Sequence, residues 1–184
     1  MNEKSRVLII GASGRIGKEI YKIFNVESNK NFFDIFGTFH SNPVTEFEKI
    51  DITDIDSVKN VINKIKPNII IHTAGLIHPL TCEENKELAW EINVIGTKNI
   101  LDCSREFKSK LVYISTDYVF DGKNNPYDEL DQPNPLNYYG QTKFESEKLI
   151  SSLDDYLIIR TAWINDVEKN SSSFIMQLIN SLKN

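Results

Sequence analysis

The stretch VLIIGASGRIG, residues 7–17, decides the fold. Its first four residues form a continuous apolar run, as in a parallel strand that is covered on both faces. Glycines 11, 14 and 17 then lead into a segment whose isoleucines recur at helical spacing. This order of strand, glycine-rich turn and helix predicts the opening unit of a sheet of parallel strands.

Outward from this stretch, short β-branched runs alternate with longer amphipathic segments. Such alternation predicts βαβ units with right-handed crossovers, and hence a doubly wound, Rossmann-like α/β domain with helices on both faces of the sheet. A chain of 184 residues suits one such NAD(P)-binding domain. Further strands are predicted at 32–39, 47–50, 68–72, 110–115 and 156–159, and helices ending at 65 and spanning 83–107, 140–151 and 171–184.

Two of these segments carry more specific expectations. Residues 121–137 are rich in Gly, Asn, Asp and Pro, which predicts a loop of ordered turns beside a functional site. In the long helix, the apolar residues expected near the buried face are Leu88, Ile92, Ile95, Ile100 and Leu101.

The composition excludes several classes of partner. Charged residues make up 26% and the net charge is −5, without basic runs, so neither nucleic acid nor a membrane surface is expected to bind. No apolar run approaches the length of a signal sequence or a membrane span, and Cys82 and Cys103 lack disulfide or metal spacing, so we expect a protein of the reducing cytoplasm. His72 and His78 have no further ligands at zinc spacing, and no metal site is predicted.

The glycine-rich turn is the first motif that carries chemistry. Its glycines allow a tight turn, close approach of the backbone to a pyrophosphate, and close packing of the helix on the strand. The helix N-terminus adds free N–H groups and a positive dipole end for phosphates. We therefore predict a dinucleotide site, and the alternative is a purely structural turn. The predicted cofactor-binding residues of this turn are Gly11, Ser13, Gly14, Arg15, Ile16 and Gly17.

The end of the second predicted strand favours NADP over NAD, with NAD kept as the second choice. An NAD site usually carries an acidic residue there for the ribose hydroxyls, whereas this sequence reads GTFHS. Arg15 can pair with a 2′-phosphate, and His40 and Ser41 can donate hydrogen bonds to it. Alternatively, Arg15 is a solvated residue at a helix start. Asp51 and Ile52 can contact the adenine edge, or Asp51 only caps the next helix.

A hydroxyl pair, a tyrosine and a lysine follow later in the chain. Thr116 ends an apolar run, and Ser115 is expected to point the opposite way because side chains alternate along a strand. Tyr139 and Lys143 are four residues apart, so their polar ends can converge on one helix face, whereas Tyr138 is turned off that face. A nearby ammonium is expected to lower the pKa of the Tyr139 phenol from its usual value of about 10. The alternative is a chance pair, since this spacing is common.

Six segments together resemble the extended branch of the short-chain dehydrogenase/reductases. They are GASGRIG (11–17), DITD (51–54), HTAG (72–75), ELAWEINVIGTKNI (87–100), YISTDYVFDG (113–122) and YYGQTK (138–143). The runs STDYVFDG and PLNYYGQTK are similar to the dTDP-4-dehydrorhamnose reductases, which are NADPH-dependent enzymes of dTDP-rhamnose biosynthesis. Related dehydratases and epimerases often carry DEVYG after the hydroxyl residue, where this chain has DYVFDG, which favours the reductase subgroup.

The resemblance implies an oxidoreductase that reduces a nucleotide-linked 4-keto-6-deoxy sugar for polysaccharide biosynthesis. It implies that Tyr139 donates a proton to the keto oxygen while NADPH delivers hydride, that Thr116 binds the same oxygen, and that Lys143 holds the nicotinamide ribose. The other residues that the resemblance implies are Asn93 as a support of the site, Thr73, Ala74 and Gly75 along the cofactor, and Asp117 and Tyr118 at the substrate.

The resemblance also implies a longer chain, since family members continue beyond the segment RTAW (160–163) to build most of the sugar pocket. We therefore expect residues 161–184 to begin a substrate-binding region that is largely missing. The alternatives are a non-catalytic NADP-binding regulatory subunit, another epimerase or dehydratase of the same family, or a remnant whose last helix drives homo-oligomerisation.

Overall fold

The computed structural model describes residues 4–124 and 126–162. Within these residues six strands form one parallel sheet in the order β3-β2-β1-β4-β5-β6. β1 and β4 lie at the centre of the sheet, with β2 and β3 following on one side and β5 and β6 on the other. This is the strand order of a doubly wound Rossmann-like fold, so the predicted fold class is confirmed. The strands are β1 Ser5–Ile10, β2 Phe33–Phe39, β3 Glu48–Lys49, β4 Ile69–His72, β5 Lys110–Thr116 and β6 Tyr156–Thr161.

Helices cover both faces of this sheet, as the alternation of side chains along β1 makes clear. Val7 and Ile9 pack with Ile20 of the first helix, whereas Leu8 and Ile10 join a larger cluster formed with the second, fifth and sixth helices. The helices of the described residues are α1 Arg15–Phe24, α2 Ile55–Ile65, α3 Pro79–Glu84, α4 Lys86–Trp90, a π-helical turn Glu91–Ile95, α5 Gly96–Phe107, a 3₁₀ turn Asp117–Val119, and α6 Tyr138–Ile150.

The long helix predicted over 83–107 is wrong in part. The predicted helix is interrupted at Asn85, which ends α3 and precedes α4. A π turn then separates α4 from α5. A π turn inserts an extra residue, which rotates the preceding segment by about 100° relative to an unbroken helix. Leu88 and Ile95 are therefore 45% and 39% exposed, whereas Ile100 is fully buried as predicted.

The contact between α1 and the preceding turn depends on Gly17. A Cβ at this position would overlap the carbonyl oxygen of Gly11 and lie 2.8 Å from the Cα of Ala12. Both are backbone atoms, so the clash cannot be relieved by a rotamer change. The helix therefore packs closely on the turn, as the glycine spacing predicts.

We expect Gly17→Ala to lower the free energy of unfolding by about 1–3 kcal/mol, because the added methyl group forces α1 away from the turn. An exposed glycine-to-alanine change inside a helix normally has the opposite sign, with a gain of about 0.5–1 kcal/mol. Urea unfolding measures the difference, with Lys18→Ala at the next, exposed position as the control. A stabilised Gly17→Ala protein would contradict this packing.

The loop after β5 consists of ordered turns in its described residues, as predicted for 121–137. The two carboxylate oxygens of Asp121 accept hydrogen bonds from the Tyr127 hydroxyl at 2.8 Å and from Asn134 Nδ2 at 3.0 Å. The backbone N–H of Asn134 donates to the carbonyl oxygen of Val119 at 2.8 Å and closes the base of the loop. The rings of Phe120 and Tyr127 are stacked with their centroids 4.1 Å apart.

The described residues also bear on membrane-spanning helices and on metal sites. No helix in the ranges 4–124 and 126–162 is long and apolar enough to cross a membrane. The same ranges contain no group of three or more His, Cys, Asp or Glu residues that could hold a metal ion. The helix predicted at 171–184 lies outside the described residues.

Candidate cofactor site and active site

The predicted site residues gather at the carboxyl-terminal edge of the sheet, where the strand order reverses between β1 and β4. Thr73 follows β4, and both its N–H and its hydroxyl donate to the carbonyl oxygen of Ile10 at 2.9 Å. A Cβ on Gly11, whose φ is +88°, would lie 2.8 Å from the backbone N of Ala74. The glycine-rich turn and the segment 73–75 therefore form one continuous surface, as a dinucleotide site requires.

The start of α1 presents backbone groups at this surface. The N-cap residue is Gly14, which has no side chain to cover the first N–H groups of the helix. The turn is anchored to β2, because Gly11 N–H donates to the Thr38 hydroxyl at 3.1 Å and Ser13 N–H to the Thr38 carbonyl oxygen at 3.3 Å. Free N–H groups at a helix N-terminus and the helix dipole favour a phosphate at this position. Arg15 and Ile16 form the first positions of α1.

In the corner expected to receive the adenosine, the Asp51 carboxylate lies beside His40, a contact that the sequence did not predict. His40, after β2, contacts the Ser41 hydroxyl through Nδ1 at 2.9 Å, and its Nε2 lies 3.8 Å from Asp51 Oδ2. Hydrogen bonds from Thr53 lower the pKa of the Asp51 carboxyl, and the charge of His40 adds to this effect. The end of β2 carries no acidic residue of its own, as its sequence indicates, but Asp51 after β3 brings a carboxylate within 3.8 Å of His40.

Asp51 does not cap α2, contrary to one of the two roles considered for it. The cap is Asp54, whose side chain accepts a hydrogen bond from Asp56 N–H at 2.9 Å. Asp51 instead accepts from the N–H and hydroxyl of Thr53 at 2.9 and 2.7 Å. Ile52 is buried against the backbone of Gly96. The adenine-edge role predicted for Asp51 and Ile52 stays a prediction.

Thr116 and Tyr139 come together from the end of β5 and the start of α6. The Thr116 hydroxyl is near enough to lower the pKa of Tyr139, and both residues are buried. Thr116 Oγ1 also accepts from Tyr118 N–H and donates to Asp117 Oδ1, each at 3.2 Å. The Tyr118 ring lies edge-on to the Tyr139 ring at 5.8 Å and is 37% exposed, so it lines the mouth of the pair.

Tyr138 is directed elsewhere, as its spacing from Lys143 predicts. Its N–H donates to Glu83 Oε1 at 2.6 Å, and its ring lies under Lys86 Nζ at 5.2 Å. Tyr139 and Lys143, by contrast, are both buried on the inner face of α6. The choice of Tyr139 as the partner of the lysine is thus consistent with the geometry of α6.

The ionisation of the buried pair differs from the prediction. Burial raises the pKa of Tyr139 to about 12, although the hydrogen bond with Thr116 opposes this shift. Burial also lowers the pKa of Lys143 to about 7, and the charge of Glu147 opposes that shift. The expected lowering of the tyrosine pKa by a nearby ammonium is therefore wrong for this free protein, because burial has the largest influence on this pKa, and it is Thr116 rather than Lys143 that opposes it. Tyr139 is a neutral proton donor at neutral pH.

Asn93 supports the site through its side chain. Its Oδ1 accepts from Leu76 N–H at 2.7 Å, while its Nδ2 donates to the Leu76 carbonyl oxygen at 3.0 Å and to Thr142 Oγ1 at 2.9 Å. These bonds tie the segment after β4 to α6. Asn93 lies in the π turn, and a π turn is a frequent feature of functional sites.

Two buried polar groups near Lys143 were not assigned a role by the sequence patterns. His72 is 1% exposed, and its Nε2 lies 3.0 Å from the Thr97 hydroxyl, which itself donates to the Asn93 carbonyl oxygen. Since Thr97 has one proton, His72 must be the donor in this pair, which fixes the proton on Nε2. Within the described residues, His72 Nδ1 and Ser115 Oγ are buried without a hydrogen-bond partner.

We expect His72 to make the fold sensitive to acid. Burial lowers its pKa from 6.5 to about 3, with a contribution from the charge of Lys143. The unfolded chain therefore binds more protons than the folded chain between these two values, and stability falls as the pH drops below 6.5. At pH 5 the loss from this one group is about 2 kcal/mol.

Urea unfolding at pH 7.5 and pH 5 tests this expectation. The difference between the two pH values should be about 2 kcal/mol smaller in His72→Gln than in the wild type. His78→Gln, at an exposed histidine, is the control and should keep the wild-type difference. An unchanged difference in His72→Gln would show that this imidazole does not control the acid sensitivity.

The fold and the site together define a dinucleotide-binding domain of the extended short-chain dehydrogenase/reductase type. Comparison with known families then makes the assignment more specific. The chain belongs to the RmlD substrate binding domain family, whose profile matches residues 5–184. The resemblance seen in the sequence motifs is thereby confirmed.

Relatives of two kinds share this family resemblance. Methionine adenosyltransferase 2 subunit beta of Xenopus tropicalis is 35% identical over 180 residues, which cover 97% of this chain and 53% of the relative. The dTDP-4-dehydrorhamnose reductase of Aggregatibacter actinomycetemcomitans is 31% identical over 182 residues, which cover 98% of this chain and 58% of the relative. The match thus spans somewhat more than half the length of each of these two relatives.

A solved structure supports the same comparison. The crystal structure of dTDP-4-dehydrorhamnose reductase from Bacillus anthracis in complex with NADP has a TM-score of 0.84 and 36% sequence identity. The match covers 100% of this chain and 61% of that chain. The match therefore covers about three-fifths of this reductase.

Proposed function

We propose that this chain carries the NADPH-binding and proton-donating half of a reductase for a nucleotide-linked 4-keto-6-deoxy sugar, of the dTDP-4-dehydrorhamnose type. The observation that carries the proposal is the burial of the Thr116 and Tyr139 side chains near one another, at the same edge of the sheet as the glycine-rich turn. A bound dinucleotide and a buried proton donor at one sheet edge suit carbonyl reduction.

The residues present fit a nicotinamide dinucleotide. The turn at Gly11 lies against Ala74, and the N-cap at Gly14 leaves the α1 N–H groups open to a pyrophosphate. NADPH would supply the hydride to the carbonyl carbon. Arg15, His40 and Ser41 suit a 2′-phosphate, and we propose NADPH as the preferred cofactor and NADH as the weaker one. Asp51, 3.8 Å from His40, would reduce this preference by repelling the phosphate.

The chain's own residues would complete the reduction by moving one proton. The Tyr139 hydroxyl, neutral at neutral pH, would donate its proton to the keto oxygen as the carbon receives hydride, so the C=O bond becomes CH–OH. The Thr116 hydroxyl would donate to the same oxygen and hold it in line. Lys143 would stabilise the phenolate that Tyr139 becomes. Asp117 and Tyr118, at the mouth of this pair, would contact the sugar.

Thermal unfolding with NADPH, with NADH and without cofactor tests the binding half of the proposal. A ligand that binds only the folded state raises the midpoint, by an amount that corresponds to about 2.7 kcal/mol at a hundredfold excess over Kd. NADPH oxidation in the presence of dTDP-4-dehydro-6-deoxy-L-mannose tests the chemical half. Stabilisation with turnover supports the reductase, stabilisation without turnover rejects the activity of this chain, and no stabilisation rejects the dinucleotide site.

A second candidate function is a non-catalytic NADP-binding regulatory subunit, favoured by the 35% identity to methionine adenosyltransferase 2 subunit beta. The test is co-elution of this chain with a methionine adenosyltransferase catalytic subunit in gel filtration, together with the NADPH oxidation assay. A stable complex without keto-sugar turnover would favour the regulatory function, and turnover without a complex would favour the reductase.

A further inference from the structure

Lys143 lies in a buried socket formed by two consecutive residues of β5. Its Nζ donates a hydrogen bond to the carbonyl oxygen of Ile114 at 2.7 Å and lies 4.0 Å from the centroid of the Tyr113 ring. Lys143 is 5% exposed and Tyr113 is 1% exposed, so water does not screen the contact between ammonium and ring. Such a contact between a cation and an aromatic face is strongest when both groups are desolvated.

The Tyr113 ring is itself held from behind. Its hydroxyl lies near those of Ser146 and Thr97, which both donate to the carbonyl oxygen of Asn93. The His72 ring packs against it with a centroid distance of 5.3 Å. Because the ring is 1% exposed and packed against His72 along one side, it has little room to move away from Lys143.

We propose that Tyr113 is a positioning residue for Lys143, and that its ring face and the Ile114 carbonyl oxygen together hold the ammonium in one place, one turn of α6 after the proton donor Tyr139. The proposal rests on the proposed function only in the role that Lys143 plays toward Tyr139 and the cofactor. The socket itself is a property of the free protein. Through this socket Tyr113, which is not one of the predicted catalytic residues Thr116, Tyr139 and Lys143, influences whether Lys143 is charged.

Several other groups act on the same ammonium. Glu147 lies one turn further along α6 and is paired with Arg160 of β6, His72 faces it from β4, and Tyr139 lies one turn earlier on α6. Burial disfavours the charged lysine, whereas Glu147 favours it. The ring face adds a second favourable contact, so its removal should make the ammonium easier to deprotonate.

The test is a pH titration of Lys143 by NMR in protein labelled with ¹³C at the lysine ε-carbons, with the signal assigned by its absence in Lys143→Met. Tyr113→Phe keeps the ring and removes the hydroxyl, so the pKa of Lys143 should stay within about 0.3 of the wild-type value. Tyr113→Leu removes the ring face and should lower that pKa by about one unit. Equal pKa values in Tyr113→Leu and the wild type, or equal losses in both variants, would overturn the proposal.

A second series covers the case in which Tyr113→Leu does not fold. Phenylalanine analogues with one, two and three ring fluorines, incorporated at position 113, weaken the negative ring face in steps with little change in packing. The pKa of Lys143 should fall in the same order, and an unchanged pKa across the series would overturn the proposal. These titrations need neither cofactor nor substrate, so their failure is distinct from a failure of the proposed function.

Discussion

Tyr139→Phe is expected to lower the turnover number of keto-sugar reduction by about 10²–10⁴-fold, because it removes the proton donor and little else. The Tyr139 ring is 9% exposed and packs among Cys82, Ala89 and neighbouring rings, and phenylalanine keeps those contacts. What is lost is the hydroxyl, together with its interaction with Thr116. The measurement is the rate of NADPH oxidation at saturating keto sugar.

Tyr138→Phe is the matched control, since it removes a hydroxyl from the adjacent residue, which is directed toward Glu83 and Lys86. It should keep the wild-type turnover. Cofactor binding, measured as the rise in thermal midpoint with NADPH, should persist in both variants. A Tyr139→Phe protein with nearly wild-type turnover would show that another group supplies the proton.

Arg160→Met is expected to lower the free energy of unfolding by about 3 kcal/mol, because it leaves the Glu147 carboxylate buried without its partner. The guanidinium binds the carboxylate through two nitrogens, with Nε 3.1 Å from Oε1 and Nη2 2.8 Å from Oε2. The side chain of Glu147 is 4% exposed and that of Arg160 is 24% exposed. Partial access of water to Arg160 keeps the expected loss at the lower end of the range for buried pairs.

Urea unfolding of two further variants tests this interpretation. Arg105→Met removes a half-exposed cation from an ion pair with Asp102, and should cost about 0–1 kcal/mol. The double variant Glu147→Met/Arg160→Met removes both charges and should recover most of the stability lost in Arg160→Met. If Arg160→Met were as stable as Arg105→Met, the buried pair would not stabilise the fold.

The sequence was most informative where a pattern depends on local geometry. The apolar run before Gly11 and the alternation of strands and helices were enough to predict the parallel sheet, since both depend on short-range periodicity. The spacing of Tyr139 and Lys143 was sufficient to predict their shared helix face for the same reason. The unequal environments of Tyr138 and Tyr139 follow from that spacing as well.

Other features depend on contacts between distant segments, and the sequence could not reveal them. The π turn at Asn93 changes the helix register by one residue, so the burial of Leu88 and Ile95 could not be extrapolated from Ile100. The pKa of Tyr139 depends on how completely the fold excludes water, which spacing does not report. Tyr139, Lys143 and Glu147 follow one another at intervals of four residues, which places Glu147 on the same buried face of α6. That spacing indicates a buried carboxylate in need of a partner, but it does not identify Arg160.

The closed base of the loop after β5 has a consequence for how this protein can change over evolution. The loop joins Thr116 to Tyr139, but its ends are tied to each other by the bonds from Asn134 to Val119 and to Asp121. The segment between these hydrogen bonds can become longer or shorter, or change in composition, without displacing the Thr116 and Tyr139 hydroxyls relative to one another. The composition of the loop and the placement of the two hydroxyls can therefore change separately. Under the proposed function, a different substrate preference could arise by replacement of the loop, with Thr116 and Tyr139 kept unchanged.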